Sequence, residues 1–109
     1  MIHYYNKEGQ SIEEKEWELL FTEYGYEQVK RSILGAKKHK YVVSTVWVGK
    51  SNDGGKSGIF QTRVLTFDNK TRIMDEPEYQ GSYDSVFKAK KGHDEIVDRV
   101  VKDTGAKYV

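Results

Sequence analysis

Tyr41-Val42-Val43-Ser44-Thr45-Val46-Trp47-Val48, the loop Gly49-Lys50-Ser51-Asn52-Asp53-Gly54-Gly55-Lys56-Ser57-Gly58, and Ile59-Phe60-Gln61-Thr62-Arg63-Val64-Leu65-Thr66-Phe67 together decide the fold. The first segment is rich in β-branched and aromatic residues and apolar on both faces, which predicts a central strand. The loop holds four glycines and no apolar side chain, so it reads as a hairpin connection. The third segment returns as the partner strand. Side chains alternate along it, so Phe60, Thr62, Val64 and Thr66 share the cleaner apolar face, and Ile59, Gln61, Arg63, Leu65 and Phe67 share the other.

Working outward toward the N-terminus, residues 29–34 are expected as a strand followed by the loop Gly35-Ala36-Lys37-Lys38-His39-Lys40. Ser11 and Glu14 have capping-box spacing and predict a helix carrying Trp17, Leu20, Phe21 and Tyr24, stopped at Gly25. Residues 2–5, Asn6-Lys7-Glu8-Gly9 and residues 10–12 read as a short hairpin. Toward the C-terminus, Asp68-Asn69-Lys70 supplies a turn and residues 71–74 a brief pairing. Glu76-Pro77 interrupts it, and residues 79–83 form an edge strand. Ser85 caps a helix reaching about Asp103, with Val86, Ala89, His93, Ile96, Val97 and Val100 along one stripe and Thr104-Gly105 at its end. Connections this short favour antiparallel pairing. The expectation is an α+β fold, one domain over residues 1–109, with an antiparallel sheet of about four to five strands and two helices packed on it.

The chain has 109 residues, enough for one core without staples, and no cysteine, which removes disulfides and thiolate metal ligation. No apolar run nears the roughly 20 residues that span a bilayer. The opening Met1-Ile2-His3-Tyr4-Tyr5-Asn6 lacks signal-peptide character, so no membrane partner and a cytoplasmic setting are expected. A net charge of +1 gives little whole-molecule attraction to polyanions, so such binding needs a local patch.

Candidate chemistry is sparse. Gly49-Lys50-Ser51 and Gly55-Lys56-Ser57 suggest a phosphate-binding loop, but that motif needs four residues between its glycines and a helix after them. Here Gly49 and Gly55 enclose five, and Ile59 opens a strand. Lys50 and Lys56 with the loop amides could still form an anion-binding concavity, although a solvated tip is the commoner outcome. His3, His39 and His93 lack metal-pair spacing, so neither a metal nor a cofactor is expected. His93 lies on the apolar stripe of the last helix, where it either packs in the core or faces a cleft. Trp47 and Arg63 fall on neighbouring strands and could form an aromatic platform beside a cation. Lys37, Lys38 and Lys40, near Tyr41, are the densest basic stretch and the candidate nucleic-acid patch. Paired catalytic carboxylates and a nucleophile elbow are missing, which points away from an enzyme.

Tyr5, Gly9, Trp17, Ser44-Thr45-Val46-Trp47-Val48-Gly49, Phe60-Gln61-Thr62-Arg63-Val64, Tyr83, Ala89 and Gly92-His93 make the chain resemble a family of short uncharacterised proteins of bacteriophages, prophages and bacterial genomes. The Ser-Thr-Val-Trp segment and the Gly-His pair are its most specific parts. The chain departs from the family in a glycine loop without prolines and in extra length around residues 68–77. The resemblance implies a phage or mobile-element setting in a host cytoplasm. The leading expectation is a non-enzymatic binding protein that acts on a host factor or defence system by protein contact. The alternatives are a small-molecule or nucleotide binder using Trp47, Arg63, His93, Lys50 and Lys56 at a homodimer interface, and a nucleic-acid binder using Lys37, Lys38 and Lys40.

Overall fold

The computed structural model describes residues 1–52, 55–68 and 72–109. Its elements are β1 (His3–Tyr5), β2 (Ser11–Ile12), α1 (Glu14–Thr22), β3 (Gln28–Ala36), β4 (His39–Trp47), β5 (Lys50–Ser51), β6 (Phe60–Phe67), β7 (Ile73–Tyr83), α2 (Val86–Thr104) and β8 (Lys107–Tyr108). Two antiparallel sheets form, a five-stranded one in the order β7-β6-β4-β3-β8 and a three-stranded one in the order β2-β1-β5. The fold is α+β, with the segment read as central in the middle of the larger sheet. Asp53, Gly54, Asn69, Lys70 and Thr71, to which loop, turn and pairing roles were assigned, lie outside the described residues.

Alternation along the strands selects the face that α2 covers. Leu34 of β3, Val43 of β4, Val64 of β6 and Tyr79 of β7 meet Ile96, Val97 and Val100 of α2, with Ala106 beyond the helix, in one buried cluster. Ser85 starts that helix by accepting a hydrogen bond from the Lys88 amide at 3.2 Å, and Gly105 closes it at φ 74°. Tyr79 reaches this core because β7 bulges where Glu76 to Tyr79 stand opposite Val64. Its hydroxyl donates to Asp103 at 2.8 Å, locking the edge strand to the end of α2. Pro77 is tolerated inside the bulge, where no ladder bond is required, so β7 runs continuously through a position expected to break it.

A second cluster closes the other end of the sheet. Trp47, Phe60, Ile59, Tyr5 and Ala89 are buried there, with Trp17, Leu20, Tyr26 and Tyr83 packed against them. The Trp47 indole donates to the Tyr5 carbonyl at 3.0 Å, and the Trp17 indole donates to the Val48 carbonyl at 2.9 Å, tying the small sheet and α1 to the large one. Gly49, at φ 75°, makes this possible: a Cβ on it would lie 2.3 Å from the Trp47 ring.

Three local expectations are corrected. Ser11 is not a helix cap. It pairs with Tyr5 in the small sheet, α1 is preceded by Glu13 without a side-chain cap, and the Glu14 carboxylate instead accepts from the Tyr4 hydroxyl at 2.7 Å. The Gly35–Lys40 loop shrinks to a turn at Lys37 and Lys38, because Ala36 already pairs with His39. At the start of the glycine loop, Lys50 and Ser51 form a strand that pairs with Tyr4 and His3. No helix of the described residues is long and apolar enough to cross a membrane.

Candidate functional site

The Gly-His pair of α2 is built into the interior. His93 has no exposed surface, and burial lowers its pKa from the ordinary imidazole value, with the Lys30 ammonium adding to the effect and Asp94 opposing it. Its Nε2 lies 2.8 Å from the Ser32 hydroxyl and its Nδ1 2.7 Å from the Thr45 hydroxyl, which in turn contacts the Thr62 hydroxyl. A neutral imidazole donates from one nitrogen and accepts at the other, so hydroxyls satisfy both positions. Ser32, Thr45 and Thr62 are themselves buried, leaving this chain sealed under α2 rather than facing a cleft. Beside it, the Tyr83 ring occupies the space a side chain at Gly92 or Gly81 would need.

Trp47 and Arg63 do not form a platform. Trp47 stands opposite Phe60 and is buried on the α2 side, whereas Arg63, three residues beyond Phe60, points to the opposite face and pairs with Asp75. Trp47 packs edge-on against Tyr26 and also meets Phe21, in a group that continues through Trp17 to Tyr4. Lys50 and Lys56 fold back on these aromatics. The Lys50 ammonium sits 5.3 Å from the Trp17 ring centre, and that of Lys56 sits 5.9 Å from Tyr5. Lys37, Lys38 and Lys40 are exposed at the far tip of the β3–β4 hairpin, with Lys37 at φ 41°. The candidates read from the sequence are therefore dispersed: His93 in the core, Trp47 under α1, Lys50 on the small sheet and Lys56 beside it, Arg63 on the outer face, and the lysine triplet at the tip. Among the described residues, no three His, Asp or Glu side chains converge as a metal site.

The structure does gather one surface. On the face of the large sheet away from α2, Val42, Ser44 and Val46 of β4 form the floor of a shallow trough. Glu27, Gln28 and Arg31 border it on the β3 side and Leu65 and Phe67 on the β6 side, and it holds about 280 Å³. The register lines up Arg31, Ser44 and Arg63 across the sheet, and Ile33, Val42 and Leu65 in the adjacent row. Ile33 is 38% exposed, and Val46, Leu65 and Phe67 are half-buried. A second depression of about 260 Å³, lined by Gln61, Arg63, Gln80 and Ser82 among others, adds hydrogen-bonding groups toward β7. Sequence inspection put Arg63, Leu65 and Phe67 on one face, and missed that Val42 and Val46 join them. The signal was available, since β4 reads as apolar on both faces.

The fold and this surface define an α+β protein whose antiparallel sheet carries a helix on one face and an apolar trough bordered by arginines on the other. No family model matches the chain, and neither a curated protein nor a solved structure does.

Proposed function

We propose that this chain is a non-catalytic binding protein of phage or mobile-element type, which modulates a host factor or defence system by protein contact through the open face of its large sheet. The observation supporting this is that a central strand, β4, places Val46, half-buried, and Val42, packed beneath its neighbours, on the face opposite α2, flanked by Leu65, Phe67 and the exposed Ile33, with none of the described elements laid over them. Side chains of this kind gain about 25 cal/mol for each Å² removed from water, and contiguous apolar surface on a soluble fold is characteristic of an interaction site. The phage setting rests on the Ser44 to Gly49 and Gly92-His93 resemblance. Of those residues, Trp47 and Gly49 build the aromatic end, Thr45 and His93 the buried polar chain, and Ser44 and Val46 the floor of the open face.

The test is paired affinity capture from bacterial lysate with the wild-type chain, Leu65→Asp on the open face, and Lys90→Glu on the exposed side of α2, all first matched for thermal unfolding. The expected result is a stoichiometric protein retained by wild type and Lys90→Glu and lost by Leu65→Asp. Retention indifferent to Leu65→Asp, or no stoichiometric protein at all, contradicts the proposal.

The polar depression around Arg63, Gln61, Gln80 and Ser82 favours a second reading, a small anionic ligand such as a nucleotide. Ligand binding stabilises the fold by RT ln(1 + [L]/Kd), so a nucleotide panel that leaves the unfolding temperature unmoved removes that reading.

A further inference from the structure

Taking the open face as the docking surface, we infer that its occupant is an amphipathic helix with acidic flanks, supplied by a partner protein and lying along β4. The geometry sets the shape. Arg31 and Arg63 both register against Ser44, one from each neighbouring strand. Their backbones therefore stand two strand spacings apart, roughly 10 Å, close to the about 10–12 Å diameter of an α-helix with its side chains. Ser44 is the smallest side chain of the floor and lies between Val42 and Val46, so a helix can seat an apolar ridge along the strand while the two arginines reach its sides. The covered face of the same sheet already shows the arrangement, with α2 lying across β4 and its neighbours.

The charge sets the partner's chemistry. Arg31 and Lys40 have no anionic partner among the described residues, and Lys40 borders the outer row beside Phe67. Arg63 holds Asp75, and Glu27 is the acid at the rim. The border is thus positive on balance, so carboxylates on an incoming helix gain paired contacts and ammonium groups do not. A second copy of this chain is disfavoured as the occupant. Packing the open faces together brings Arg31, Lys40 and Arg63 of one copy toward the same cations of the other, and α1, the acidic helix of the chain, exposes Leu19 and Phe21 but commits Phe21 to the Trp17 and Trp47 rings.

The test uses the full chain with methyl-labelled Val, Leu and Ile, and two synthetic peptides of about 18 residues, matching the roughly 30 Å of β4 at about 1.5 Å per helical residue. Both peptides carry the same leucine stripe, one with glutamates and the other with lysines on its flanks. The expected result is shifts confined to Ile33, Val42, Val46 and Leu65, affinity at least about tenfold higher for the glutamate peptide, and a reversal of that preference in Arg31→Glu. Equal affinity, or preference for the lysine peptide at the same methyls, overturns the acidic helix while leaving the face as a docking surface. Silence of those methyls with both peptides overturns the helix and counts against the face itself. A concentration-dependent doubling of mass without peptide, with line broadening at the same methyls, assigns the face to a second copy and overturns the inference.

Discussion

Gly92 is tied to Tyr83, because a methyl added there would sit 2.2 Å from ring carbons of the tyrosine. Gly92→Ala is therefore expected to destabilise the protein by about 1–3 kcal/mol, the usual cost of overpacking. Combining it with Tyr83→Ala should cost less than the two single changes added, which urea unfolding of the four proteins measures. His93 makes a pH-dependent prediction. Its folded pKa is lowered by burial, so as pH falls below the unfolded imidazole value of about 6.5 the unfolded chain takes up a proton that the folded chain refuses. The contribution of neutral His93 is full well above that value. It declines through the window between about 6.5 and the depressed folded pKa, with a slope of at most about 1.4 kcal/mol per pH unit for one proton. Unfolding midpoints across that window should show this decline in wild type and a shallower one in His93→Gln. An equal decline in both removes His93 as its source.

Among the elements, α2 matters most, since it covers the inner face of the large sheet and supplies Ile96, Val97 and Val100 to the core. Ser85→Ala removes the hydroxyl that accepts from the Lys88 amide, and it should lower stability by about 1 kcal/mol without altering the pH dependence. An unchanged midpoint means that the cap contributes nothing. This helix was legible from sequence because its cap, stripe and closing glycine agree, and His93 falls on the stripe as read. The start of α1 was not, because Ser11 and Glu14 have capping spacing but different partners: Tyr5 recruits Ser11 into a strand and the Tyr4 hydroxyl takes the Glu14 carboxylate. These are tertiary contacts invisible to local spacing. The pairing of Trp47 with Arg63 failed for a related reason. Period-two alternation leaves the faces undefined until the register is known, and with Trp47 opposite Phe60 the arginine falls on the far side.

At the scale of the molecule, an elongated body of 46 × 23 × 21 Å separates its charges although the net is only +1. The acidic α1 lies at the Trp47 end, and Lys37, Lys38 and Lys40 lie at the opposite hairpin tip. Between these ends α2 covers one face of the large sheet, and none of the described elements lies over the trough on the other, an asymmetry on which the proposed docking surface depends. It was half legible: the apolar character of β4 on both sides said that two surfaces need covering, while the placement of α1 at the end of the sheet rather than on it depends on the Trp17 and Phe21 contacts with the Trp47 region. The most direct measurement is paramagnetic broadening of methyl signals by a soluble nitroxide in the free protein. Strong broadening of Ile33, Val46 and Leu65, with Leu34, Val43 and Val64 spared, is the predicted result. Equal protection of both sets, or the reverse pattern, would contradict an open face.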